Sequence, residues 1–248
     1  MIDLHVHLIP GLDDGAASLD EAIELCRLAD LDGCTTLVAT PHRRRDEWPD
    51  LPEADLARRL AEVGSAAGGR PRLLLGAEIR ADSDLARDLS RADRGGALTL
   101  AGSHYVLLEL EPRGFGPDPA ALVAELARAG WRPIVAHPEL TPCLVREPGS
   151  IARLAAAGAF FQITAMSVTG EFGRAARERA FALLDAGHAH FLASDAHRAD
   201  WRPTGLAAAR DEVERRFGRA RAEALTELHP RAVLEDRPLP VAVAEGVR

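Results

Sequence analysis

Two histidines, His5 and His7, sit two residues apart in the alternating run MIDLHVH, and a pair of aspartates follows at Asp13 and Asp14. In an extended strand residues i and i+2 project from the same face, so the two imidazoles stand side by side. Such a face is poor apolar surface and good metal-binding surface. The same residue types recur along the chain: His42 after VATP, Glu78 ending RLLLGAE, Glu109 in YVLLEL, His137 ending RPIVAH, Asp195 ending HFLASD, and His197 two residues later. Imidazoles and carboxylates without thiolate suit manganese, iron or zinc better than calcium or a closed structural zinc site. These are too many donors for one ion, and carboxylates bridge, so two or three ions are expected. Three divalent ions facing the four carboxylates leave a positive centre. That favours an anionic substrate such as a phosphoester, attacked by a water that clustered ions activate while they clamp the phosphoryl oxygens.

The elements that must carry these groups are legible along the chain. Short apolar runs at 2–7, 35–40, 72–78, 105–110, 132–137, 160–164 and 190–195 read as strands. Between them the 3.6-residue periodicity of amphipathic helices recurs near 50–67, 117–129, 148–157, 171–186 and 204–228. A further helix follows Ser18, with Glu21 completing a capping box and Gly33 ending it. Strand–helix alternation of this kind, with no long linker, favours an α/β fold in which a parallel sheet closes into a TIM-like barrel. An open doubly wound sheet is less favoured because no Gly-rich phosphate fingerprint follows the first strand. Taken singly, Asp14 is an ordinary turn residue and Glu78 or Glu109 a solvated strand end. Their coincidence at the carboxyl ends of six strands, the face where barrel sites are built, is the argument for a site. His104, His188, His190 and His229 fall outside the pattern and read as surface or core-edge residues.

Composition limits the function classes. The chain has 248 residues, 47% of them hydrophobic, enough for one sizeable domain spanning 1–248. A net charge of -8 argues against a nucleic-acid partner. Cys26, Cys34 and Cys143 show no CxxC spacing and cannot all pair, which fits a reducing compartment. No apolar run approaches a membrane span and no leader pattern opens the sequence, so a cytoplasmic location is expected.

The segments MIDLHVHLIPGLDDGA, VATPH, LGAEIR, VLLELE, PIVAHPE, FQITAMSVTGEFG and FLASDAH together resemble the polymerase and histidinol phosphatase (PHP) family. The branch they are most similar to is the bacterial tyrosine-protein phosphatases of capsule and exopolysaccharide systems. The resemblance implies a distorted seven-stranded (β/α) barrel with three metal ions, usually manganese or iron, with zinc as a further option. By position His5, His7, Glu78 and Asp195 would hold one ion. Glu78, bridging, would hold a second with Glu109 and His137, and Asp14, His42 and His197 would hold the third. Activated water would then attack phosphorus in line, with no covalent enzyme intermediate, so that His42, Asp195, His197 and Arg202 count as catalytic. One departure stands out. The family commonly has AHPER after the fifth strand, its arginine near the phosphate, where this chain reads AHPEL with Leu140. A second family arginine is matched by Arg202. The missing guanidinium removes a bidentate phosphate contact, which Arg43 of the run Arg43, Arg44, Arg45 could replace; that run reads equally as a solvated basic patch. The implied substrate is a phosphotyrosine protein, a bacterial tyrosine kinase of polysaccharide export. Alternatives are a small phosphomonoester, or a catalytically weak barrel kept as a regulatory module.

Overall fold

The computed structural model describes residues 1–91, 99–110, 118–147 and 149–240. Residues 117 and 148, where two of the expected helices were to begin, lie outside the described residues. All strand pairs are parallel, in two sheets. The three-stranded sheet runs β1 (Ile2–Val6), β2 (Thr36–Ala39), β4 (Arg72–Leu75). The six-stranded sheet runs β3 (His42–Arg43), β5 (Glu78–Arg80), β6 (Tyr105–Glu109), β7 (Arg132–Ala136), β8 (Phe160–Thr164), β9 (Phe191–Ala193). The sequence predicted seven strands, and the described residues contain nine. The difference comes from two breaks. The run at 35–40 is interrupted at Thr40–Pro41, where proline has no N–H for a ladder, and resumes as β3. The run at 72–78 is interrupted at Gly76, whose missing side chain matters: a Cβ there would lie 2.8 Å from Val38 Cγ1. Each broken run thus starts in one sheet and ends in the other.

Helices fill the connections: α1 (Leu19–Leu31), α2 (Glu53–Ala66), α3 (Leu85–Arg91), α4 (Pro119–Arg128), α5 (Pro142–Arg146), α6 (Ser150–Ala157), α7 (Ala165–Thr169), α8 (Arg174–Asp185), α9 (Leu206–Phe217), α10 (Arg219–Glu223) and α11 (His229–Leu234). Ser18 caps α1 by accepting from the Glu21 N–H, while Glu21 accepts from the Ala17 N–H. The helix expected over 204–228 is broken at Gly218, whose φ of +84° and ψ of 161° belong to glycine geometry. The short helices α3, α5 and α7 carried too little periodicity to be predicted.

Burial follows the layers. One apolar cluster joins β1 and β2 to α1, α2, α8 and α9 through residues such as Val6, Leu25, Leu37, Leu56, Leu184 and Val213. Another packs β5, β6 and β7 on α3 and α4 through Ile79, Leu85, Val106, Leu122 and Val135. A third draws Ile2, Leu4 and Val38 from one sheet and Tyr105, Leu107, Ile134 and Phe191 from the other, so the two sheets share a core. The sheets also meet through backbone hydrogen bonds beyond β9: Asp195 N donates to His5 O at 2.9 Å and His7 N to Ala196 O at 2.8 Å. An irregularity in the β1–β2 register between Asp3 and Val6 accompanies a change of role along β1. Ile2 and Leu4 join the shared core, and His5 and His7 stand beyond it.

Candidate metal centre

The carboxyl ends of the strands converge on Glu78, the first residue of β5 and almost wholly buried. Its Oε2 lies 2.9 Å from His42 Nδ1 and 3.5 Å from both His5 Nε2 and His7 Nε2; its Oε1 lies 2.8 Å from His137 Nε2. Asp195 Oδ1 approaches His5 Nε2 at 3.2 Å and His7 Nε2 at 3.5 Å. Asp14, on the loop after β1, is 3.4 Å from both His42 Nε2 and His197 Nε2. Among the described residues, three sets of donor atoms lie within 4.8 Å of one another: His7, Asp14, His42 and His197; His5, His7 and Asp195; and His42, Glu78 and Glu109. His137 is brought to Glu78 without joining the third set.

The donor chemistry fits divalent ions. His5 Nδ1 is tied to Gln162 Oε1, His7 Nδ1 to Asp13 Oδ2 and His197 Nδ1 to the Asp195 carbonyl, each at 2.9 Å. A ring that donates through Nδ1 leaves its Nε2 lone pair for a cation. His5 Nε2 and His7 Nε2 then face each other across 3.2 Å, an arrangement that requires a proton or a metal ion beside them. His42 Nδ1 is buried 2.9 Å from Glu78 Oε2, and the buried Glu109 Oε2 is paired with Arg45. Two cage members, His137 (φ +32°) and Asp195 (φ +54°), hold left-handed backbone conformations that L-residues avoid. Such strain concentrates at sites where the backbone must aim a side chain.

The electrostatics show what the cage does to its members. Burial opposes charge on His42, but the Glu78 carboxylate and the Asp14 hydrogen bond outweigh it and lift its pKa to about 9. For His137 the same opposition is overcome by Glu78, again to about 9. Burial pushes Glu78 up, yet the His5 and His42 charges hold it well below the usual carboxylate range. Glu109 is raised, first by burial and then by Glu78 beside it. The cage therefore retains protons where cations would relieve the same repulsion, and metal binding displaces them.

One side of the cage opens to a cavity of about 260 Å³, whose walls include Asp14, His42, Glu109, His137, Leu140, Thr141, Arg45 and Arg202. Arg202 pairs with Asp195. Arg43, expected beside the substrate, is instead paired with Asp50 and does not line the cavity. The reason is local. Arg43 follows His42 in β3 and so points to the opposite face, while Arg44, at φ +62°, turns the chain so that Arg45 returns to the cavity. Leu140 stands in the cavity wall. Sequence reasoning named Asp13 only as the neighbour of Asp14 and Arg45 only within the arginine run led by Arg43, and it singled out neither Gln162 nor Trp48, whose ring stacks on His42 at 4.7 Å. Spacing to a ligand gave a signal for Asp13 alone, which precedes Asp14 in the loop after the HxH strand.

A parallel α/β fold with imidazoles and carboxylates gathered at the strand carboxyl ends defines the class: an α/β protein with a candidate metal-dependent hydrolytic centre. Within that class, the chain belongs to the capsular polysaccharide synthesis family CpsB/CapC, whose family model matches residues 1–235. It is 32% identical over 253 residues to the tyrosine-protein phosphatase YwqE of Bacillus subtilis, covering 97% of this chain and 96% of that protein. It is 27% identical over 244 residues to the tyrosine-protein phosphatase CpsB of Streptococcus pneumoniae, covering 96% and 99%. A crystal structure from a study of YwqE and CpsB, described there as unique metal-dependent tyrosine phosphatases, matches with a TM-score of 0.90 at 29% identity, covering 97% of this chain and 96% of that one. An organophosphorus hydrolase variant from Deinococcus radiodurans matches with a TM-score of 0.58 at 17% identity over 94% of this chain and 92% of that one, a likeness of fold.

Proposed function

We propose that this chain is a metal-dependent phosphomonoesterase that dephosphorylates phosphotyrosine in a cytoplasmic partner, a tyrosine kinase of polysaccharide export. The observation that carries the reading is the buried imidazole–carboxylate cage around Glu78, open on one side to a cavity whose wall includes the guanidinium groups of Arg45 and Arg202. Its relatives' names point to the same chemistry. The two sheets read as one distorted barrel of seven strand positions in a single domain, β2–β3 and β4–β5 each being one broken strand. Their shared apolar cluster and the backbone bonds from Asp195 to His5 and from His7 to Ala196 support this.

Three divalent ions, manganese or iron with zinc as the further option, are assigned to the cage. His5, His7, Asp195 and Glu78 would hold one; Glu78, Glu109 and His137, with His42 close by, a second; Asp14, His42 and His197 the third. Bound there, such ions would supply a nucleophilic water at neutral pH and neutralise charge on the phosphoryl oxygens. The chain's own residues do the rest. Arg202 binds the phosphoryl group, and Asp13, Gln162 and the Asp195 carbonyl keep the imidazoles oriented. Trp48 on His42 and Trp201, 62% exposed and 6.2 Å from His197, are aromatic surfaces beside two cage histidines that an aryl group would meet. In the reaction the water oxygen bonds to phosphorus as the bond to the phenolic oxygen breaks; that oxygen leaves with the electron pair and takes up the proton the water gives up.

A second reading, hydrolysis of a small phosphomonoester, is favoured by Leu140, which offers the substrate no donor. Elemental analysis and a substrate panel decide between them. The expected result is more than one equivalent of manganese, iron or zinc, faster turnover of phosphotyrosine peptides than of aliphatic phosphomonoesters, and loss of several orders of magnitude in His42→Ala or Asp195→Ala. A folded protein that takes up no metal sinks the hydrolase reading; preference for an aliphatic phosphate replaces the first reading with the second.

A further inference from the structure

We propose that Arg45 is the second phosphate-binding group of this site, supplying from the segment after β3 the guanidinium that Leu140 does not supply from the segment after β7. The inference rests on the phosphoester reading above and concerns how this chain holds the phosphate. Among the described residues, Arg45 and Arg202 are the arginines in the cavity wall, and they are built alike. Each pairs through Nη2 with a carboxylate of the cage, Arg45 with Glu109 and Arg202 with Asp195. Each lies over an aromatic ring, Arg45 5.4 Å from the Trp48 centroid and Arg202 5.0 Å from that of Phe172. In each, the buried Nε has no hydrogen-bond partner. The carboxylate and the ring fix the plane of the guanidinium, and the remaining N–H groups form a fork suited to a phosphoryl group. Its neighbours in the run are committed elsewhere: Arg43 to Asp50, Arg44 to Asp82 and Asp88.

The competing account makes Arg45 only a counter-ion that keeps Glu109 ionised and in place. The two accounts differ in what a guanidinium at position 140 can repair. A group placed there can meet a phosphate but does not stand in for a counter-ion to Glu109. The test measures binding of inorganic phosphate to the metal-loaded full chain by calorimetry, together with metal content and melting temperature, for Arg45→Leu, Arg45→Lys, and Arg45→Leu combined with Leu140→Arg. Expected for Arg45→Leu is a ten- to hundredfold weaker phosphate affinity, the scale of one lost charge-assisted contact, with metal content unchanged. Leu140→Arg in that background should recover most of the loss. Arg45→Lys, which keeps the charge and loses the fork, should weaken phosphate binding about tenfold, and it remains informative if Arg45→Leu fails to fold. Wild-type phosphate affinity in Arg45→Lys overturns the proposal. So does loss of metal in Arg45→Leu that Leu140→Arg leaves uncorrected. A chain that binds phosphate through Arg45 but hydrolyses no phosphotyrosine upholds this inference and removes the tyrosine reading. Normal phosphotyrosine turnover with Arg45 variants indifferent to phosphate does the reverse.

Discussion

Asp13 shows how much of a metal centre is decided by residues that touch no metal. Its Oδ2 accepts from His7 Nδ1 and from the His42 backbone N–H, both at 2.9 Å, and its Oδ1 accepts from Gly15 N at 3.0 Å. One carboxylate therefore fixes the tautomer of one proposed ligand and the backbone position of another. Burial works against its charge, yet the His7 imidazole holds its pKa below the ordinary value. Asp13→Ala should leave the chain folded and weaken metal binding about 10–100-fold, the usual cost of losing an outer partner of a ligating histidine. Competition with a chromogenic chelator reads this directly, and wild-type affinity in the variant would show that His7 needs no such support.

At the scale of elements, the site depends on close approaches that only glycine permits and on how β8 and β9 are joined. A Cβ at Gly15 would sit 2.2 Å from the His7 carbonyl oxygen, so the loop carrying Asp13 and Asp14 can lie against β1 only because residue 15 has no side chain. On the opposite side, His190 precedes β9 and accepts the Phe161 N–H of β8 through Nδ1 at 3.2 Å, while its carbonyl accepts from His229 Nδ1 at 2.7 Å. Burial, with the charges of His229 and Arg221 behind it, pushes the His190 pKa down to about 4. In the unfolded chain it is about 6.5. The unfolded state thus binds more protons between these values. The contribution of His190 is complete above pH 6.5 and is lost as the pH falls toward 4. It amounts to about 3 kcal/mol across the window. Urea unfolding from pH 7 to pH 4.5 should show stability falling with acid, and the fall should be shallower in His190→Gln. An identical slope in that variant would assign the acid sensitivity to other groups.

For the whole molecule, ions that bind the folded chain and not the unfolded one stabilise the fold by mass action, about 2.7 kcal/mol at a hundredfold excess over Kd. Chelation should therefore lower the melting temperature while abolishing phosphatase activity, and manganese or iron should restore both. Thiol reagents should do neither. Burial pushes the Cys26 thiol up to about 12 and raises Cys34 as well, so neither is a thiolate at neutral pH. Cys143 is raised too and lines a cavity separate from the cage. Loss of turnover after alkylation of the folded protein would require a cysteine nucleophile in place of activated water. No helix among the described residues is long and apolar enough to cross a membrane.

Much of this protein is written locally. The alternation around His5 and His7, the capping box at Ser18 and Glu21, and the apolar runs ending in Glu78, His137 and Asp195 each follow from spacings of two to four residues, over which backbone geometry alone aligns side chains. Parallel strands and the gathering of imidazoles and carboxylates at one end could be inferred from those spacings. What tertiary structure decided depends on residues far apart in the chain. The splitting of two strands at Pro41 and Gly76 reflects packing against Val38 and the step from one sheet to the other. The pairing of His5 with Gln162 joins residues 157 positions apart. The exchange of Arg43 for Arg45 in the cavity turns on the single left-handed residue Arg44, a conformation that arginine shows no local preference for and that surrounding contacts with Asp82 and Asp88 hold in place.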